Sequence, residues 1–319
     1  MIDITLQNFE TELIAASMQV PVLLDIWAPW CGPCKSLGPV LEKLETDYAG
    51  RFVLAKLNSD EQPEIAGQLS QAFGVRSIPF CVLFSQGQPV DGFVGALPES
   101  QVRAFLDKHV PTEDALEADA EVAEAEALLA EGGSPDAALA KLQEAVAIDP
   151  ANDNARIDYL KLLLSGAATD PARTAQARAA FEPVAGKVLQ DTRLAAVEHW
   201  LKACEALPAA RPVAELDAAI AANRRDFDAR FAKAQQLFAR GEFTAAMDEL
   251  LEIVMRDKAW SDELARKTYV AILELMTKAP AKPEAAATKG TLEITGKAAA
   301  APSDPVLDQY RRKLSMALF

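Results

Sequence analysis

Apolar positions change their period once along this chain, near Pro111-Thr112. On the amino-terminal side, β-branched runs punctuated by glycine and proline alternate with helical segments, as in an α/β domain. Val22-Leu23-Leu24-Asp25-Ile26 is an apolar run of strand length, Phe80-Cys81-Val82-Leu83-Phe84 is another, and Ile2, Ile4 and Leu6 alternate like a strand. On the carboxy-terminal side come long Ala-, Leu- and Glu-rich stretches with apolar residues three and four apart. No convincing strand falls between residues 113 and 278, so this half is predicted to be helical.

The helical half also repeats itself. Gly133-Ser134-Pro135-Asp136-Ala137-Ala138-Leu139-Ala140-Lys141-Leu142 is echoed at an offset of 108 by Gly241-Glu242-Phe243-Thr244-Ala245-Ala246-Met247-Asp248-Glu249-Leu250 (241 − 133). Leu129 and Leu237 keep that register, as do Asp149 and Asp257. A glycine at a turn followed by alanine and a large apolar residue in the next helix resembles the tetratricopeptide pattern. That pattern expects a small residue in the first helix, seven positions before the glycine. Ala234 supplies it in the later copy, whereas Glu126 stands there in the earlier one. Pro150 sits where the pattern closes with proline and Lys258 does not. Between the copies, residues 152–223 have helical spacing but poor repeat signatures. Trp200 and Trp260 read as core anchors of this half rather than groove residues.

Residues 279–303 are dominated by Ala, Pro, Lys, Thr and Gly without an aromatic residue, which predicts a flexible linker. Within it, Thr291-Leu292-Glu293-Ile294-Thr295 alternates like a short strand. Asp304-Pro305 then supplies a cap and a first helical residue. The final segment, residues 304–319, is predicted to be an amphipathic helix with Leu307, Tyr310, Leu314 and Leu318 on one face and Arg311, Arg312 and Lys313 mostly elsewhere. Such a helix docks on its own domain or in a partner's groove. Its tether favours the partner, and the four apolar residues are taken as partner-binding.

At 319 residues the chain is long enough for two domains, here 1–110 and 113–278. The formal charge of −15 argues against nucleic acid as a partner, and no apolar run reaches membrane length. Residues 113–136 are acidic without Lys or Arg, as on a solvated helix face. The first twenty residues lack a basic segment followed by an apolar one, and four cysteines make no disulfide framework. A reducing cytoplasm fits both observations.

Chemistry concentrates in Trp27-Ala28-Pro29-Trp30-Cys31-Gly32-Pro33-Cys34-Lys35. Two cysteines separated by two residues, where a strand gives way to a helix, can close a disulfide across the helix's first turn. Cys31 would sit at the helix N-terminus, where unpaired N–H groups and the helix dipole favour a thiolate, and Cys34, one turn inside, would resolve a mixed disulfide formed at Cys31. Zinc would need two further ligands, and Cys81, Cys204, His109 and His199 are all isolated. Two inert core cysteines are the remaining alternative.

The segment 1–110 resembles thioredoxin, and the resemblance implies the α/β thioredoxin fold. Asp25 matches that family's buried carboxylate, Lys56 in Val53-Leu54-Ala55-Lys56-Leu57-Asn58 its partner lysine, Ile78-Pro79 its cis-proline step, and Gly87 and Gly95 two family glycines. It implies catalytic roles for Cys31, Cys34, Asp25 and Lys56, and substrate contact by Trp30, Gly32, Pro33, Ile78, Pro79 and Phe80. It implies neither a cofactor nor a metal. A carboxylate inside an apolar strand is costly to ionise, so Asp25 should hold its proton more tightly than usual and can relay it to or from Cys34. Proline cannot donate a ladder bond, which leaves Pro79 free to present its carbonyl to a docked peptide. Phe80 departs from the family's small polar residue: its ring either widens an apolar platform for unfolded clients or packs inward. Cys81 reads as a buried strand thiol.

A thioredoxin domain, an all-α tetratricopeptide-like helical-hairpin domain and a terminal Asp-Pro-x-x-x-x-Tyr-Arg-Arg-x-Leu helix together resemble the bacterial chaperedoxins. The resemblance implies a holdase that protects client cysteines by mixed disulfides and passes clients to the chaperonin GroEL/GroES, which the terminal helix would contact. Thioredoxin reductase or glutathione would recycle the disulfide. A general disulfide reductase with a substrate-selecting helical domain is the alternative.

Overall fold

The computed structural model describes residues 1–277 and 304–318. They divide into two compact units, residues 1–113 and residues 114–277 with 304–318. The expected linker at residues 279–303, with its alternating stretch from Thr291 to Thr295, lies outside the described residues, as does Phe319.

The first unit runs β1 (Ile2–Asp3), β2 (Val22–Trp27), α1 (Gly32–Asp47), β3 (Val53–Asn58), α2 (Pro63–Phe73), β4 (Phe80–Ser85), β5 (Gln88–Val94) and α3 (Glu99–Leu106). Its strands form one sheet in the order β1-β3-β2-β4-β5. β1, β3 and β2 are parallel, and β4 and β5 run antiparallel to their neighbours. Both faces of β2 are covered, which is why its sequence reads as a continuous apolar run. Val22, Leu24 and Ile26 pack with Phe9, Leu13, Ile65 and Leu69. Leu23 packs on the other side with Leu37, Leu41 and Leu44 of α1 and Val102 and Leu106 of α3. Alternation therefore puts Asp25 on the α1 side with Leu23.

The same alternation decides Phe80. It pairs with Ile26 in register, so it shares the face of Ile26, where its ring is buried edge-on against Phe73 at 5.5 Å between centroids. Phe80 is a core residue and not part of a substrate platform, which corrects its assignment to substrate contact.

The second unit runs α4 (Glu113–Ala130), α5 (Pro135–Ile148), α6 (Asp153–Gly166), α7 (Pro171–Phe181), α8 (Thr192–Ala206), α9 (Val213–Ala222), α10 (Phe227–Ala239), α11 (Phe243–Arg256), α12 (Trp260–Met276) and α13 (Pro305–Leu318). No strand occurs among its described residues. α12 opens on Ser261, Asp262 and Glu263 with φ of 47°, 57° and 59°, so its regular right-handed part follows them. Trp200 is buried against Phe238 and Phe243, and Trp260 is half-buried on Phe231.

The repeat is present with a shifted register. The turn glycines, in left-handed conformation, are Gly132 (φ 74°) and Gly241 (φ 75°), 109 apart (241 − 132), not Gly133 and Gly241. Gly133 N–H closes the first helix on Leu128 C=O (2.8 Å) as Glu242 N–H closes its counterpart on Leu237 C=O (2.9 Å). Leu237 thus answers to Leu128 rather than Leu129, and Ala234 to Ala125 rather than Glu126, both alanines being buried. One extra residue in the earlier turn restores the offset of 108 in the second helices, where Ala138 and Ala246, and Leu142 and Leu250, are all buried. The earlier copy therefore does carry the small residue it lacked in the one-offset alignment.

A further copy lies in the segment that lacked signatures. Asn152 and Asp226 cap α6 and α10 by accepting from Ala155 N–H and Ala229 N–H, each at 3.0 Å. Arg156 and Arg230, both buried, reach back to the carbonyls of Pro150 (2.9 Å) and Arg224 (3.3 Å).

The terminal helix α13 packs on α11 and α12 of the same unit. Asp304 caps it, its Oδ1 accepting from the N–H groups of Val306 (2.9 Å) and Leu307 (3.3 Å). Leu307, Tyr310 and Leu314 are buried in the unit's core and Leu318 is half-buried against it. Tyr269 Oη donates to Tyr310 C=O (2.8 Å), Tyr310 Oη to Asp248 (3.1 Å), and Lys258 Nζ to Leu318 C=O (2.6 Å). The stripe taken as partner-binding is an internal contact.

Candidate active site

The site grows from the end of β2. Cys31 is the N-cap residue of α1, extended at φ −77° and ψ 101°, and its Sγ accepts from the N–H of Cys34 at 3.2 Å. Cys31 and Cys34 are joined in a disulfide. Both cysteines are buried, 3 % and 4 % exposed, so accessibility does not distinguish them. Their difference is electrostatic: Cys31 Sγ stands at the helix terminus, where N–H groups lack intrahelical partners, and Cys34 lies inside the first turn.

Around the pair, Ala28, Trp27 and Ile78 form an apolar collar. Gly32, Pro33 and Trp30 are exposed, Trp30 at 69 %, and its indole N–H donates to both carboxylate oxygens of Asp60 (3.2 and 3.0 Å). Ile78-Pro79 is a cis peptide. Pro79 is buried and its carbonyl accepts from Gly95 N–H at 2.8 Å. That carbonyl therefore has one partner within the fold, and its second lone pair is what remains for a docked peptide. Gly95 (φ 90°) and Gly87 (φ 75°) both occupy the left-handed region.

Asp25 stands one layer in, 2 % exposed. Its register partners are Lys56 on β3 and Cys81 on β4. Cys81 Sγ lies 3.7 Å from Asp25 Oδ1, and Lys56 Nζ is 2.7 Å from Glu42 Oε1 of α1. Burial pushes the Asp25 carboxyl up to about 6, against opposing pulls from the Lys56 charge and the Cys81 hydrogen bond. Burial, helped by the neighbouring carboxylate, holds the Cys81 thiol well above its usual value. The arrangement therefore offers a disulfide on a helix terminus, and inside it a carboxyl group that changes charge near neutral pH.

Comparison with known proteins agrees with this geometry. The family description thioredoxin matches residues 1–108 and tetratricopeptide repeat matches residues 208–292. A thioredoxin of Chlorobaculum thiosulfatiphilum is 47 % identical over 104 residues, 33 % of this chain and 91 % of the relative. Thioredoxin 1 of Nostoc sp. is 41 % identical over 107 residues, 34 % of this chain and 94 % of the relative. A thioredoxin of Haemophilus influenzae is 41 % identical over 105 residues, 33 % and 94 %. The chain belongs to the thioredoxin family.

The thioredoxin unit accounts for one third of the molecule, and the helical, tetratricopeptide-like unit for most of the rest. The described residues include no group of His, Cys, Asp and Glu placed to hold a metal ion, and no helix long and apolar enough to cross a membrane. Within the thioredoxin unit the structure brings together Cys31, Cys34 and Ile78, and separately Asp25, Lys56 and Cys81. Trp27, Asp60, Glu42 and Cys81 were missed as site residues. Cys81 was legible, since strand parity puts it on the face of Leu83, and antiparallel pairing then sets it opposite Asp25. Glu42 lies four residues after Gly38, on the stretch of α1 that the Lys56 ammonium lies against.

The raised Asp25 carboxyl has a consequence for stability. Its folded value of about 6 lies above 3.8, so folding binds a proton more tightly and the group's penalty appears as pH rises from about 4 through 6. At about 1.4 kcal/mol per pH unit, the full penalty above pH 7 is roughly 3 kcal/mol. Asp25→Asn is expected to stabilise the disulfide form by up to that amount at pH 7.5 and by almost nothing at pH 4. Thermal melts of the thioredoxin unit's transition at both pH values check it; an equal gain at both would mean that shape, not charge, is responsible.

Proposed function

We propose that this protein is a redox-active co-chaperone, which holds unfolded or oxidised clients and exchanges disulfides with them. The observation that carries the proposal is the intact Cys31–Cys34 disulfide on the same chain as an array of helical hairpins, an architecture whose use is to offer surface to other proteins. Exposed Trp30, Gly32 and Pro33 beside the pair support access for an extended polypeptide.

In the proposed cycle the reduced pair meets a client disulfide. Cys31 thiolate attacks one client sulfur, the client S–S bond breaks, and the other client sulfur leaves as a thiolate. Asp25 takes the Cys34 proton, Cys34 thiolate attacks Cys31 Sγ, and the second client thiolate leaves and is protonated. The client gains two electrons, and the pair is left as the disulfide seen here. Lys56, held by Glu42, eases the charged form of Asp25. Thioredoxin reductase or glutathione in a reducing cytoplasm returns the two electrons, and the chaperonin GroEL/GroES receives the clients.

Replacing both Cys31 and Cys34 by serine tests the two halves together. Insulin-type reductase activity is expected to vanish, while suppression of client aggregation is retained. Failure of the parent protein to suppress aggregation would leave a disulfide reductase whose helical unit only selects substrates.

A further inference from the structure

The proposed cycle needs Asp25 charged when Cys34 must lose its proton, yet Asp25 is almost wholly buried. Something close at hand must favour the carboxylate. The elements around it differ in the polar groups they bring. From β3 comes Lys56, whose ammonium is drawn to Glu42 on α1 at 2.7 Å and lies over Gly38, 3.7 Å from where a β-carbon there would stand. From α1 come Cys34 and Glu42, and α3 adds only apolar Val102 and Leu106 to that layer. From β4 comes Cys81, wholly buried and directly opposite Asp25 in the antiparallel register. The Cys81 contact, 3.7 Å from Sγ to Oδ1, is the side-chain hydrogen bond the structure gives Asp25.

We propose that the Cys81 thiol is a positioning residue for disulfide exchange: it donates to the Asp25 carboxylate and thereby sets the pH range over which Asp25 accepts the Cys34 proton. Only the charged carboxylate needs a donor there, so a thiol at 81 favours that form, whereas an aliphatic side chain would leave it bare. Cys81 is suited to this because it cannot exchange the role for another. Its surroundings are apolar residues of the sheet and α1, and a carboxylate opposite it opposes a thiolate, so the sulfur keeps its proton and donates it. Serine would supply the same donor, and valine the same bulk without one.

The inference rests on Asp25 as the proton relay, so the experiment reads the contact and the relay separately. In the full chain, the Asp25 side-chain carboxyl is titrated by carbon NMR in the disulfide form of the parent, Cys81→Val and Cys81→Ser. The pH dependence of insulin-type disulfide reduction is recorded for the same three proteins. Cys81→Val is expected to move the Asp25 midpoint to higher pH by roughly half to one unit, with the reduction profile following it. Cys81→Ser is expected to return both most of the way to the parent. An unmoved midpoint in Cys81→Val, or a serine variant that titrates like the valine one, overturns the proposal. A midpoint that moves while the reduction profile stays put confirms the contact and overturns Asp25 as the relay instead.

Discussion

Cys34→Ser is expected to leave client proteins covalently attached to Cys31, while Cys31→Ser captures none. The effect is all-or-none because the two sulfurs do different work. Cys31 caps α1, and its Sγ already accepts the Cys34 N–H at 3.2 Å in the disulfide. In the reduced protein the same N–H and the helix terminus favour negative charge on that sulfur, so Cys31 attacks. Cys34 sits within the first turn of the helix and serves only to displace the client. Without Cys34 the mixed disulfide has no internal route to resolution; without Cys31 it never forms. Incubating each variant with an oxidised client and resolving the products on a non-reducing gel measures this directly. Comparable adducts from both variants would mean that either sulfur attacks, and the electrostatic asymmetry would then be irrelevant. Burial cannot stand in for it, since the two residues are equally covered.

The redox site was legible because its signals are local. Two cysteines at a strand–helix junction, and a carboxylate in an apolar run, need no knowledge of distant contacts to be noticed. What went astray depended on parity and pairing. Phe80 can face either side of the sheet until its register with Ile26 fixes it, and the bond that Gly95 N–H gives the Pro79 carbonyl joins residues distant in sequence. In the helical unit, one constant offset sets Glu126 where Ala125 does the packing, because one residue inserted in a turn moves the helix before it and not the helix after it. The copy beginning at Asn152 stayed hidden for another reason. Its recurring feature is an arginine, a residue that sequence reading assigns to the surface, yet Arg156 and Arg230 are buried and satisfy carbonyls six residues back.

The docking of the terminal helix turns on an energy that is smaller than it looks. A tether of some twenty-five residues seemed wasteful for an internal contact, but each doubling of loop length costs only about 0.6 kcal/mol. Against that stand three buried side chains, and α11 and α12 would otherwise end the array with an uncovered apolar face. Deleting residues 304–319 is therefore expected to lower the melting temperature of the helical unit while leaving disulfide reduction unchanged. Leu314→Ala gives the same result in smaller measure: removing a buried leucine costs about 2 kcal/mol at the low end, which suits a side chain still 8 % exposed. In a unit of this size that corresponds to a fall of roughly 4–8 °C. The deletion, which also removes Tyr310 and its hydrogen bonds to Tyr269 and Asp248, should exceed it. Calorimetry on the full chain and both variants decides the matter, read beside co-purification with GroEL. An unchanged melting temperature with loss of GroEL would return Leu307, Tyr310 and Leu314 to a partner. A lowered one with GroEL retained would place the chaperonin contact elsewhere on the chain.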